Sequence, residues 1–399
     1  MTGMLEVEDA QRQLLALAPP LPLEHVEVEQ AHGRYLAEAL VAQRSQPFAD
    51  LSAMDGYAIC GAERTNWTII GESAAGRPFA GTLHQSECVT ISTGAAVPAD
   101  ARGVIPFEMV SRKNQRIDLS EPPPEPFDRF IRRQGSDFHA GDRLLRPGTR
   151  ISSRVVALAL TAGTSELPVR RRPKVAVLQT GDELIAKWSS ADRGKTPAAN
   201  GPMVAAMLRN VPCDVAQSPI VTDRLERVIS AIEDAGDQDV LVTIGGASIG
   251  EHDLVRPALE RLGFEIAFWR VAMKPGKPLL VAKNGSQIAL GLPGNPASAF
   301  VTSYLFLLPL IRAALGSASP SPAPSTLPLA APLPHGGGRR EFVRAVLERG
   351  ELTPLPSHDS GFVAALAQAT HLIDRPANAP PAREKDVMPC YSIENCAPT

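Results

Sequence analysis

An excess of charge of either sign is missing from this 399-residue chain: 40 Lys and Arg stand against 43 Asp and Glu, a formal net charge of −3. That balance excludes a general nucleic-acid binder and a polybasic membrane binder, both of which need a basic surface. Paired cysteines are missing too. The five, Cys60, Cys88, Cys213, Cys390 and Cys396, form no C-x-x-C, so neither a zinc site nor a disulfide framework is supported and a reduced, cytoplasmic setting is expected. The acidic start, M-T-G-M-L-E-V-E-D, lacks the basic-then-apolar order of a signal peptide. No long apolar run occurs. The best membrane candidate, residues 297–311, holds Thr302, Ser303 and Pro309 and reads as too short to span, hence as a buried core helix. The chain has no G-x-S-x-G elbow, no histidine ligand spacing, no complete G-x-G-x-x-G after a strand and no Walker lysine loop. Serine-triad, histidine-metal, dinucleotide and P-loop chemistry are therefore not supported.

What is present argues for several packed domains. A hydrophobic content of 44% rules out wholesale disorder, and at about 150 residues per domain two to four domains are expected. Residues 5–18 read as a short amphipathic helix ended by Pro19-Pro20. From 46 to 141, short apolar runs at 67–70, 88–91, 103–106 and 116–119 lie between Gly and Pro turns, a small β domain. Residues 151–162 are again helical, and the run Arg170-Arg171-Arg172 reads as a solvated linker. From 174 to 315 strands alternate with helices, the pattern of a mostly parallel sheet covered on both faces. Asn200, Gly201 and Pro202 read as the cap of one helix, Asp223 as the cap of another, and Asn284-Gly285 as a hairpin turn. Residues 316–334 are rich in proline and read as a linker, with a last β domain beyond it.

Ligands of an open α/β sheet bind at the carboxyl ends of its strands. Four loops come into question. T-I-G-G-A-S-I-G-E-H-D at 243–253 offers glycine amides, Ser248 and the acid Asp253; it reads as an anion cradle, or as a tight turn with Asp253 capping the next helix. Asp182 and Glu183 in Q-T-G-D-E-L follow the first strand and suit either a metal or the first turn of a helix. Lys274 and Lys277 in M-K-P-G-K-P are held by Pro and Gly in directions that suit an oxyanion. In G-L-P-G-N-P-A-S-A, Asn295 reads as a cap and Pro296 as the first helical residue. Outside this domain, Asp55-Gly56 in S-A-M-D-G-Y-A reads as an ordinary turn.

Taken together and in order, S-A-M-D-G-Y-A, T-G-A, G-x-D, T-G-D-E-L, G-G-x-S-x-G-x-x-D, M-K-P-G-K-P and G-L-P-G-N-P-x-S-A resemble the molybdopterin molybdenumtransferase family, to which the gephyrin E-domain belongs. The resemblance covers nearly the whole chain. It implies a multidomain α/β fold: a segmented helical domain at 1–45 and 142–172, a β lid domain at 46–141, a central molybdopterin-binding α/β sheet domain at 173–318 and a C-terminal β domain at 319–399.

The resemblance also implies an enzyme that takes adenylylated molybdopterin and molybdate, releases AMP and leaves molybdenum on the dithiolene with the help of Mg²⁺. Asp253 and Glu183 would hold the metal, with Asp182 beside them; Lys274, Lys277 and Asp55 complete the expected catalytic set. The substrate would be bound by Gly245, Gly246, Ser248, Gly250, Thr180, Gly181, Asp223, Thr93, Asp137, Pro293, Gly294, Asn295 and Ser298. A homodimer is implied, with Asp55, Thr93 and Asp137 of the lid facing the partner's α/β domain. A molybdopterin adenylyltransferase and molybdoenzymes are the implied protein partners, with no nucleic acid and no membrane. The chain departs from the family pattern at Asp100-Ala101-Arg102, at Ala199 before Asn200, and at 368–371. The alternatives are a non-catalytic paralogue that carries molybdopterin and a related α/β adenylyltransferase or hydrolase; the lid motif disfavours the latter.

Overall fold

The computed structural model describes residues 4–18, 21–189, 193–246, 253–356 and 359–393. At its centre is a six-stranded sheet in the order Asp214–Gln217, Lys174–Gln179, Val240–Ile244, Gln287–Leu292, Pro278–Asn284, Glu265–Arg270. The first three pairings are parallel and the last two antiparallel. Strand alternation divides the core in two. Val175 and Val177 point into a large cluster with helix Asn200–Leu208 and the helix that starts at Pro296, while Ala176 and Leu178 point into a second one with helices Leu225–Glu233 and Val255–Arg261. The two faces are thus both covered, as the alternating pattern predicts.

Helix Pro296–Ala314 corrects the expectation that this segment is too short to cross a membrane. It runs for 19 residues and is apolar enough, yet 89% of its most apolar window is buried inside the fold, which makes it a core helix. Proline at 309 is accommodated because the turn before it, Ser303–Leu307, widens to π-helical geometry, which relieves the clash with the preceding carbonyl. Thr302 Oγ1 donates to Ser298 O at 2.7 Å, so the hydroxyl in the middle of the run is satisfied within the helix.

The flanking segments close on this domain. The helix expected at 5–18 is Val7–Leu17, and its Val7, Ala10 and Leu14 pack into the central core. Strand Leu23–Glu27 pairs antiparallel with Glu166–Arg170, which joins the two halves of the segmented domain around helix Ser153–Thr161. That domain holds more short strand than its helical description implied. The basic run is not a solvated linker. Arg171 forms a bidentate pair with Asp239 at 2.7 Å to each oxygen, and Arg170 Nη1 donates to Leu21 O at 2.6 Å, so the run clamps the segmented domain to the sheet. Burial opposes it, but Arg171 and the Lys174 amide hold the Asp239 carboxyl below the usual carboxylate range.

The lid is a six-stranded sheet with cores on both faces, and the four predicted runs are all strands of it. Gly56 is the first residue of strand Gly56–Ile59 rather than a turn residue: a Cβ there would lie 2.1 Å from Ile105 O. In the C-terminal domain, strand Ser325–Pro328 lies inside the segment expected as linker and pairs with Val387–Ser392 at the sheet edge. Strand Met273–Lys274 of the M-K-P-G-K-P loop joins the other edge of that sheet, parallel to Arg340 and Glu341.

Candidate active site

Three adjacent parallel strands, Lys174–Gln179, Val240–Ile244 and Gln287–Leu292, end side by side on one cavity of about 950 Å³. The ladder continues past their ends. Thr180 N–H donates to Ile244 O and Gly245 N–H to Leu292 O, both at 3.2 Å, which fixes the three exits relative to one another. Of the residues expected to bind substrate or metal, Thr180, Gly181, Glu183, Asp223, Gly245, Gly246, Asp253, Pro293, Gly294 and Asn295 line this cavity. Ser298 is buried in the helix behind it. Ser248 and Gly250 lie outside the described residues.

Gly245 and Gly246 both have positive φ, +91° and +62°, and a Cβ at Gly245 would sit 2.8 Å from Thr180 O. We expect Gly245→Ala to cost about 2–3 kcal/mol, from the backbone conformation and from pushing two strand exits apart, read as a lower denaturant midpoint. Of the glycine amides the sequence offered to an anion, that of Gly245 is taken by Leu292 O.

Asp253 is the most perturbed carboxyl of the cavity. Burial pushes its pKa up to about 6, against the pull of the Arg256 and Val255 backbone N–H groups and the Arg256 charge. Its Oδ1 is buried with no hydrogen-bond partner among the described residues. The acid therefore leans on the start of helix Val255–Arg261, although the cap position there is Leu254 and not Asp253 as the sequence suggested, and one of its oxygens has no partner among the described residues.

Glu183 and Asp223 reach the cavity, whereas Asp182 does not line it. Asp223 does not cap its helix; the cap position is Arg224, one residue later. Instead Asp182 N–H donates to Asp223 Oδ2 at 3.2 Å and Asp223 N–H to Asp182 Oδ1 at 3.1 Å, a reciprocal clasp. Lys195 Nζ donates to Asp182 O at 2.7 Å and adds a positive charge beside it.

The opposite wall is built by asparagines. Asn200 Nδ2 donates to Gly294 O at 2.6 Å, and Gln179 Oε1 accepts the Gly201 amide at 2.8 Å, so the start of helix Asn200–Leu208 is tied to two strand exits. Asn295 occupies the cap position of the next helix but makes no side-chain capping bond; its Nδ2 donates to Ser360 Oγ at 2.9 Å. Gly361 and Val363 of the C-terminal domain thereby join the lining. Gln179, Asn200 and Ser360 are the site residues that reading the sequence did not assign. An Asn directly before Gly-Pro at a helix start was the available signal for Asn200.

The two lysines stand elsewhere. Lys274 pairs with Glu341 at 3.1 Å and lines a small second cleft with Arg344, while Lys277 makes no ion pair among the described residues. Pro278, next to Lys277, lines the main cavity, so the loop runs between the two. Burial lowers the pKa of Arg344, whose Nη1 and Nη2 donate to Phe362 O and Asp359 O at 2.9 and 2.8 Å. In the lid, Asp55 Oδ1 accepts the Thr93 amide at 2.6 Å, and Asp137 is exposed; neither they nor Thr93 line the cavity of their own chain.

A parallel-stranded core with a glycine-lined cavity at the carboxyl ends of its strands, rimmed by acids, defines a ligand-binding α/β domain. Comparison with known proteins gives the family. Residues 5–163 match the family described as MoeA N-terminal region (domain I and II), residues 176–313 the one described as probable molybdopterin binding domain, and residues 326–388 the MoeA C-terminal region (domain IV). The chain is 32% identical over 376 residues to the molybdopterin molybdenumtransferase of Haemophilus influenzae, covering 92% of this chain and 91% of that protein. It is 31% identical to molybdopterin molybdenumtransferase 2 of Mycobacterium tuberculosis, covering 94% and 96%. Among solved structures, a molybdopterin biosynthesis MoeA protein from Pyrococcus horikosii superposes with a TM-score of 0.81 at 26% identity, over 98% of this chain and 99% of that one. The chain belongs to the molybdopterin molybdenumtransferase (MoeA) family.

Proposed function

We propose that the protein is a transferase of molybdenum cofactor biosynthesis that accepts adenylylated molybdopterin and molybdate, releases AMP and leaves molybdenum on the dithiolene. The observation that carries this reading is the cavity of about 950 Å³, large enough for a pterin joined to a nucleotide, with the Gly245-Gly246 turn, Asp253 and the Gly294-Asn295 loop converging on it.

Mg²⁺ fits the chemistry of this site, because the buried Oδ1 of Asp253 has no partner among the described residues and a cation would supply one. Among the described residues no group of three or more His, Cys, Asp and Glu forms a cage, which suits an ion that takes one or two carboxylates and completes its shell from phosphate oxygens. Asp253 and Glu183 would hold it, and it would neutralise charge on the phosphoanhydride. The chain's own residues do the rest. The glycine turn lets the backbone approach the ligand, Asn200 and Asn295 hold the walls, and Lys274 and Lys277 meet oxyanions at the loop between the two clefts. Lys274 must leave Glu341 or share it to do so. A homodimer completes the site in this reading: Asp55, Thr93 and Asp137 lie away from their own cavity and would serve the partner's. The setting is cytoplasmic.

The test is turnover. Purified protein given adenylylated molybdopterin, molybdate and Mg²⁺ is expected to release AMP and yield product that activates an apo-molybdoenzyme. Tight molybdopterin binding with no AMP release over repeated turnovers would make the protein a carrier instead.

A further inference from the structure

Among the described residues, the cavity lining contains no Trp, Tyr, Phe or His side chain. Its proposed ligand carries two fused heteroaromatic ring systems, a pterin and a purine, whose faces are hydrophobic and polarisable and gain from a stacked ring. The chain has only three tryptophans. Trp67 is buried in the lid, and Trp269 lies beneath the guanidinium groups of Arg270 and Arg256 at 4.4 and 5.1 Å. Trp188 is different: it is 62% exposed, a large apolar surface left in water.

Trp188 stands on the segment between two short strands, Leu184–Ile185 and Thr196–Pro197, which pair in parallel. Leu184, Thr196 and Pro197 of these strands line the cavity, so the segment springs from the cavity wall. Four residues from Leu184, the tryptophan is within about 14 Å of chain from that wall. Its neighbours in sequence are cationic: Lys187, Arg193 and Lys195 stand against the single acid Asp192, which lies outside the described residues. Lys195 is anchored on Asp182 O, next to the acid clasp.

Resting on the function proposed above, we propose that Trp188 is the stacking platform for a fused-ring base of the substrate at the edge of the cavity, with the segment's cations beside the phosphate that follows that base. It supplies an aromatic face that the described lining of the cavity lacks.

The test titrates the full chain with AMP and, separately, with 6-hydroxymethylpterin, by calorimetry and by tryptophan emission. Emission from the exposed tryptophan is expected to be quenched by the ring that stacks on it. Trp188→Ala is expected to weaken that probe about 5- to 50-fold, and Trp188→Phe to restore most of the loss. With adenylylated molybdopterin, the loss should fall on KM. A loss confined to AMP assigns the purine, and one confined to the pterin assigns that ring. Unchanged binding of both probes to Trp188→Ala overturns the inference and leaves the transferase reading standing. Failure of wild-type protein to bind either probe overturns both.

Discussion

Asp253→Asn is expected to make the protein more stable at neutral pH and to reduce AMP release by at least about 100-fold. The two effects have one cause. Burial pushes the Asp253 carboxyl up to about 6, so the folded protein binds this proton more tightly than the unfolded chain does. Below the unfolded value near 4 both states are protonated and the group is neutral in its effect. As pH rises toward 6 the unfolded state ionises first and stability falls. Above 6 both are ionised, and the buried charge costs up to about 3 kcal/mol. Asparagine keeps the shape and removes the charge, so the variant should gain on the order of 2 kcal/mol at pH 7.5 and nothing at pH 3.5. Mg²⁺ reverses the sign for the wild type alone under the proposed function, because it binds the ionised form. Denaturant melts of both proteins at the two pH values, with and without Mg²⁺, check this. Equal stability of the two at pH 7.5 would mean that Asp253 carries no buried-charge cost.

Asp374→Ala is expected to cost about 3 kcal/mol and to loosen the C-terminal domain. Asp374 is 6% exposed and takes Nε and Nη2 of Arg340 at 2.7 and 2.6 Å, with the Tyr391 hydroxyl donating at 3.3 Å. The third guanidinium nitrogen of Arg340 donates to Glu8 on the N-terminal helix. One guanidinium therefore joins the first helix of the chain to the last sheet. Removing Asp374 strands a half-buried cation whose other partner, Glu8, is largely exposed and well solvated. Asp374→Asn, which keeps an acceptor, should lose less. Because Gly361 and Val363 of the same domain line the cavity and Ser360 holds Asn295, Asp374→Ala should also weaken AMP binding, measured by calorimetry below the unfolding transition.

Much of the fold was legible because hydrophobic period and length agree with the structure. The run V-L-V-T-I is strand Val240–Ile244 to the residue, and the apolar run at 103–106 is strand Gly103–Pro106. The failures have physical reasons. Strand Ser325–Pro328 hides in a proline-rich stretch, and it can contain proline because it is an edge strand with one unpaired side. The hairpin expected at Asn284-Gly285, by contrast, is there: Asn284 pairs with Gln287 across the turn, and Gly285 takes φ +57°. Asp223 carries the residue type of a cap, but its carboxylate meets the Asp182 amide across the fold, a contact that no local pattern encodes.

The site was legible in its loops and illegible in its connections. Thr180, Glu183, Gly245, Asp253 and Gly294 are recognisable as strand-exit residues, and the structure gathers them in one cavity. Asn295 reads as a helix cap, and its real work, holding Ser360, depends on a domain that begins after a linker. The lysines were expected among the acids; the pairing of Met273–Lys274 with Arg340 and Glu341 carries Lys274 into the second cleft instead.

The most direct measurement follows AMP and dithiolene-bound molybdenum together in one reaction of the purified protein with adenylylated molybdopterin, molybdate and Mg²⁺. The two should appear in equal amounts, over many turnovers, and both should vanish with Asp253→Asn. AMP released without molybdenum bound, or neither product from wild-type protein, would contradict a molybdenum-inserting transferase.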